Sequence, residues 1–177
     1  MSLKHAILVL LDKEPRSGYD LLKEFKNSLG YFWNASHQQI YQQLKRLSDE
    51  GLIDCDIQQQ DGKPDKKNYS ITPYGHQHLQ EWVNQEVKPN KVNDALLVKL
   101  FAGHLCPTEH LETELKRHQD IHRNTLDKLL KIEKRYQQLS SIQQEHYKLP
   151  YLTLRRGILG EQAWLAWVDE AIKAIKK

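Results

Sequence analysis

The chain has 177 residues, 39% of them hydrophobic, with 26 Lys and Arg against 23 Asp and Glu and a net charge of +3. That composition can build one domain or two small ones. A mean hydropathy of −0.73 and a longest apolar run of only six residues, 6–11, exclude a membrane-spanning helix. Cys55 and Cys106 stand alone with no C-x-x-C, which argues against a zinc ribbon or a disulfide scaffold. The opening M-S-L-K-H lacks the pattern of a signal peptide, so a cytoplasmic protein is expected. Residues 1–87 hold 10 Lys and Arg against 12 Asp and Glu, net −2, whereas residues 88–177 hold 16 against 11, net +5. Any contact with nucleic acid must therefore depend on where the charges sit.

Residues 3–11 carry apolar side chains at 3, 7, 10 and 11, a short buried helix closed off by Pro15. Ser17-Gly18-Tyr19-Asp20 opens a second helix with an acidic residue three places after a serine cap. Its buried stripe is Leu21, Leu22, Phe25 and Leu29, and Gly30 follows as a stop. The aromatic connector Tyr31, Phe32 and Trp33 reads as packing at a helix corner.

Residues 36–51 form the next helix. Ser36 followed by Gln39 is a capping-box pattern, and Gly51 stands where a left-handed turn ends a helix. Ile40, Leu44 and Leu47 stack on one face at 100° per residue. Away from that stripe lie His37, Gln38, Gln39, Tyr41, Gln42, Lys45 and Arg46, and no acidic residue occurs from 31 to 48. Side-chain amides pair with adenine and guanidinium forks with guanine, so the pattern suits a recognition helix in double-stranded DNA. A solvated, glutamine-rich helix face is the competing reading of the same residues.

After Gly51 the period changes to two. Ile53, Cys55 and Ile57 alternate with polar residues, a turn rich in Asp, Gly, Lys and Pro follows, and residues 68–71 alternate again. Thr72-Pro73 looks like a cap and first-turn proline for a fourth helix carrying Leu79, Trp82 and Val83. Three helices, a hairpin and a fourth helix make a winged helix-turn-helix. Lys63, Lys66 and Lys67 cluster at or beside the hairpin turn, where ammonium groups reach phosphates flanking a groove. Asp61 and Asp65 interleave with them, so taken alone the tip favours a loop kept soluble by lysine, and only its place beside the helix argues for phosphate contact.

These stretches resemble the PadR family of bacterial transcriptional regulators. The similarity is carried by S-G-Y-D-L-L-K-E, by I-Y-Q-Q-L-K-R-L-S-D-E-G-L-I and by G-K-P-D-K-K-N-Y-S-I-T-P-Y-G. The run from His37 to Leu47 departs from the commoner family pattern and is closer to the AphA-like branch. N-D-A-L-L-V-K-L-F-A-G and R-R-G-I-L-G-E-Q-A-W-L-A-W-V resemble the linking and last helices of that branch. The resemblance implies homodimers on pseudo-palindromic operator DNA, usually repressing and sometimes activating. It also implies that a small-molecule effector is among the partners.

The polar connector 88–93 separates a DNA-binding domain, 1–87, from a helical dimerisation domain, 94–177. A short apolar helix over 94–103 comes first. A long heptad-like helix is expected from Thr108 to about His146, and Pro150 breaks it. Residues 152–177 form the most apolar helix, with Ile158, Leu165, Val168, Ile172 and Ile175 on one side. One antiparallel neighbour is too narrow to cover that stripe together with Trp164 and Trp167, so it is expected to hold a dimer. The fold class is thus mainly α, a winged helix followed by an antiparallel coiled-coil-like domain.

His118 and His122 are spaced to clamp one ion, but no H-E-x-x-H or third ligand accompanies them. No P-loop, G-x-S-x-G or G-x-G-x-x-G occurs, so neither enzyme activity, cofactor nor metal is expected. A coiled-coil adaptor whose winged helix meets protein is the alternative that the acidic first half favours. Trp33, Trp82, Trp164, Trp167 and Phe101 are candidates for lining an effector pocket, but large aromatics are the normal filling of small helical domains and plain core is the favoured reading of each.

Overall fold

The computed structural model describes residues 3–31, 33, 35–59, 66–89 and 93–176. Two compact units divide it, Met1–Asn90 and Lys91–Lys177. The first runs α1 Leu3–Lys13, β1 Arg16–Ser17, α2 Gly18–Asn27, a 3-10 turn Leu29–Tyr31, α3 His37–Asp49, β2 Ile53–Gln58, β3 Lys66–Ile71 and α4 Pro73–Val83. The second runs α5 Ala95–Phe101, a 3-10 turn Gly103–Leu105, α6 Thr108–Gln137, α7 Ser141–His146 and α8 Lys148–Ile175.

Local chemistry places most boundaries in the first unit. Ser17 Oγ accepts from Asp20 N at 3.1 Å and caps α2. The end of α3 is a Schellman turn: Gly51 N–H donates to Ser48 O at 3.0 Å and Leu52 N–H to Leu47 O at 2.9 Å. Gly51 carries it at φ +69°, a conformation that costs a side chain about 1 kcal/mol or more. Thr72 then does two jobs. Its Oγ1 accepts from Gly75 N at 3.0 Å to cap α4 and donates to Gly51 O at 2.8 Å. The two ends are tied together, and Gly75 lies so close to Leu52 O that a Cβ there has no room.

The core of this unit is continuous. Ile7, Leu8, Leu11, Leu21, Phe25, Ile40, Leu44, Leu47, Leu52 and Ile53 are each at most 2% exposed, so the apolar stripes of three helices and the start of β2 meet in one place. Trp33 and Trp82 pack against it as partly buried side chains.

The sheet has three strands in the order β1-β3-β2, all antiparallel. The third strand is an addition to the expected hairpin: Arg16 pairs with Tyr69 and Ser17 with Asn68. Two residues, the second of them the helix cap itself, carry no period, so only the partner strand reveals them. The β2–β3 register sets Cys55 opposite Tyr69 and Gln58 opposite Lys66. Ile57 is 59% exposed, against the expected alternation, because the ribbon has by then run past the core beneath it.

In the second unit α6 and α8 pack antiparallel. Gln119 Nε2 donates to Asp169 Oδ1 at 2.6 Å, His122 Nδ1 meets Glu161 Oε2 at 2.6 Å, and Arg155 Nη1 donates to Glu133 Oε1 at 2.8 Å. The single helix expected from Thr108 to His146 is two. It stops at Gln137, and Ser140 starts α7 with its own capping box to Gln143. Pro150 breaks nothing, since it sits in the first turn of α8, where its missing N–H has no partner to lose. Among the described residues, no helix is long and apolar enough to cross a membrane.

Part of the α8 stripe is taken up by packing within the chain. Ile158 and Val168 are 0% exposed within the single chain, and Leu165, Ile172 and Ile175 are half-buried around Leu96, Leu115 and Val168. Packing within the second unit thus covers Ile158 and Val168 fully, and Leu165, Ile172 and Ile175 in part. The apolar residues left outside on α8 include Leu149, Leu152, Leu159, Ala163, Ala166 and Ala174.

Candidate nucleic-acid interface

Helix α3 starts at a complete capping box. Gln39 N donates to Ser36 Oγ at 3.2 Å, and Ser36 N donates to Gln39 Oε1 at 2.8 Å. A cap of this kind is worth about 1 kcal/mol, and it fixes where the first turn begins. Ile40, Leu44 and Leu47, all 0% exposed, turn inward. His37, Gln38, Gln39, Tyr41, Gln42, Lys45 and Arg46 are exposed.

The box changes what Gln39 can do. Its carbonyl oxygen is engaged by the backbone of Ser36, so it lacks the free donor–acceptor pair that two-point pairing with adenine needs. Gln38 and Gln42 keep both groups free among the described residues. Lys45 and Arg46 make no ion pair among the described residues, whereas Lys4 is bound to Glu50 at 2.9 Å and Arg16 to Glu14 at 2.8 Å. The unneutralised cations of the first unit thus include two on one helix face. His37 leans on Tyr41, with ring centroids 4.5 Å apart and planes 36° from parallel.

Lys66 and Lys67 open β3 and are exposed. They lie on the ladder, opposite Gln58 and Ile57, rather than in the turn. Lys63 lies outside the described residues. Below them Tyr69 is 6% exposed. Burial first, then the neighbouring Cys55, pushes its phenol up to about 12, so it acts as a neutral core group.

Elsewhere, the pairing of His118 with His122 resolves into structure. His122 lies flat on Trp164, centroids 3.6 Å apart, while its Nδ1 binds Glu161. His118 Nε2 is 3.6 Å from Glu114. Among the described residues no group of three His, Cys, Asp or Glu side chains is arranged to hold a metal ion. Trp164 and Trp167 pack, partly buried, against the core of the second unit, and Phe101 is 93% exposed. A cleft of about 430 Å³ lies between Glu14, Arg16, Asp20, Lys23, Lys66 and Asn68, too polar a lining for a planar apolar ligand.

Comparison with known proteins divides the chain in a similar way. Residues 7–81 match the model of the transcriptional regulator PadR-like family, and residues 92–176 match that of the virulence activator alpha C-terminal region. The negative transcriptional regulator PadR of Bacillus subtilis is 34% identical over 99% of this chain and 98% of its own. Its structure in complex with operator DNA superposes with a TM-score of 0.79 at 32% identity, covering 98% of each chain. Its complex with p-coumaric acid gives 0.72 at 28% identity, over 99% of this chain and 96% of that one. The virulence activator AphA of Vibrio cholerae gives 0.79 at 35% identity, over 99% and 98%.

Proposed function

The chain belongs to the PadR-like family of transcriptional regulators, and on that premise we propose that it represses transcription by binding a pseudo-palindromic operator as a homodimer. The observation that carries this reading is the exposed face of α3. Amides on Gln38 and Gln42 and cations on Lys45 and Arg46, none of them paired among the described residues, project from a helix whose start is locked by its cap. Arg46 reads guanine, and the two glutamines read adenine in the major groove. Ser36 and Gln39 hold the helix start; His37 and Tyr41 contact the duplex beside it. Lys63, Lys66 and Lys67 bind phosphates and set the register without reading sequence.

Residues 1–87 form the DNA-binding domain, residues 88–93 the linker, and residues 94–177 the part that self-associates. The exposed Leu152 and Leu159 of α8 replace the covered Ile158 and Val168 as the apolar seam between subunits. Two-fold symmetry then presents two α3 helices to half-sites an integral number of turns of about 10–10.5 bp apart. A planar phenolic acid is the class of effector we assign, supported by the p-coumaric acid complex of the Bacillus relative. The reading gives the chain no catalytic residue and places it in the cytoplasm with the chromosome.

A mobility shift on a duplex selected from a random library by the wild-type chain tests the proposal. Arg46→Ala should cost about 1–3 kcal/mol per half-site and relax preference at one or two base pairs. Full affinity and unchanged preference in Arg46→Ala, Gln38→Ala and Gln42→Ala would remove α3 from recognition. The adaptor reading, favoured by the net −2 of residues 1–87, requires that no duplex is selected at all.

A further inference from the structure

The first residue of α2 and the middle of α3 meet with no room to spare. Gly18 is buried, and a Cβ built on it lies 2.9 Å from Tyr41 Cε1, 2.9 Å from Tyr41 Oη and 3.1 Å from Tyr41 Cζ. Real Cβ atoms do not approach carbon so closely. The Tyr41 ring therefore rests on the bare backbone of Gly18. Its outer side carries His37 at 4.5 Å, and it lies near enough to the phenol of Tyr69 on β3 to affect its charge. The backbone of Gly18 does not explain the glycine. Gly51 is the one described glycine with a positive φ, so Gly18 has a conformation that alanine adopts freely, and an alanine in a helix is ordinarily favoured over glycine. The small residue serves the ring.

We infer that Gly18 is a positioning residue for DNA recognition: the absence of its side chain seats Tyr41, and through Tyr41 it orients His37 on the exposed face of α3. The inference rests on the reading of α3 as the recognition helix. A methyl group at position 18 leaves the backbone in place and displaces the phenol, because the atoms it meets are the far end of the Tyr41 side chain. Tyr41 is 36% exposed, so the ring swings outward, toward the surface that meets DNA.

The test is a double-mutant cycle on full-length protein, with a duplex selected from a random library by the wild-type chain as the probe. Gly18→Ala should keep or raise the thermal midpoint yet weaken binding roughly five- to tenfold. Tyr41→Ala should weaken it at least as much. Gly18→Ala/Tyr41→Ala should match Tyr41→Ala alone, since without the ring the added methyl has nothing to move. Binding to singly substituted duplexes supplies a readout that loss of fold does not move: Gly18→Ala and Tyr41→Ala should alter preference at the same base pairs.

Undiminished binding by Gly18→Ala, or additive losses in the double variant, would overturn the inference. So would a Gly18→Ala protein that fails to fold, because the seat would then be structural. If Tyr41→Ala and Arg46→Ala both bind as the wild type does, the recognition-helix reading fails instead, and the two failures are told apart by Arg46→Ala alone.

Discussion

The two units of this chain solve the same burial problem with unequal means. Residues up to Val83 close fourteen side chains into one core, from Ile7 to Leu79. In the second unit only Leu96, Leu115, Leu129, Ile158 and Val168 are buried among the described residues. Val98, Phe101, Leu105, Ile142, Leu149, Leu152 and Leu159 stay exposed there. Three helices crossing at angles enclose a volume, whereas two long antiparallel helices share only a line of contact and leave their outer faces bare. An apolar outer face is what a subunit interface needs, so the second unit is the one with a reason to associate.

The largest effect should separate the inner and outer faces of α8. Leu165→Asp with Ile172→Asp sets charges against α5 and α6 and should unfold the second unit, since each such side chain contributes about 1.5–3 kcal/mol by its burial. Leu152→Asp with Leu159→Asp changes only the outer face. It should give a folded monomer, with helicity by circular dichroism retained, half the mass by sedimentation, and operator binding weakened because the half-sites no longer act together. A folded dimer from the outer pair would move the interface away from these leucines.

Acid should sharpen the contrast to a smaller extent. His5 stacks on Trp82, centroids 4.3 Å apart, and burial first, then His78, hold it down at about 4 from the ordinary 6.5. The unfolded chain takes up a proton that the native one refuses. The resulting penalty is absent above pH 6.5, grows as pH falls through that value and levels off near pH 4; solvent screening of the partly exposed ring keeps it on the order of 1 kcal/mol. In the second unit Glu114 is held at about 2, from 4.5, chiefly by its hydrogen bonds from Arg117. Its contribution is present above pH 4.5 and is lost only as pH falls toward 2. Between pH 6.5 and 4.5 the thermal midpoint of the first unit should drop while this pair leaves the second unaffected, and His5→Gln should flatten the response. An unaltered profile in that variant would locate the acid sensitivity elsewhere.

The smallest effect concerns charge without fold. Lys66→Ala with Lys67→Ala should leave both units intact and weaken all duplexes alike. The slope of log K against log salt should fall in magnitude by about 1 for each phosphate that is no longer neutralised. An unchanged slope would return both lysines to solubility.

Much of the first unit was legible residue by residue. The caps at Ser17, Ser36 and Thr72, the proline after Thr72 and the left-handed Gly51 all stand where their local chemistry requires, and the α3 stripe of Ile40, Leu44 and Leu47 turns inward as its period demands. Ser140 and Gln143 carried the same capping signal, overshadowed by the heptad pattern running across it. Gln39 shows the limit of reading exposure as availability, because one amide serves the cap and the groove and the cap takes its oxygen.

What the sequence determined by itself is therefore whatever closes within a turn or two of the chain: cap, stop, period and the sidedness of each helix. These depend on hydrogen bonds between neighbours and on a repeat of 3.6 or 2 residues. The tertiary structure alone decided which sides meet. It added β1 to the sheet through a partner more than fifty residues away, laid Tyr41 on Gly18, and turned the Ile158–Ile175 stripe toward α5 and α6. An apolar stripe states that it must be covered but not by what, because hydrophobic burial has no direction of its own.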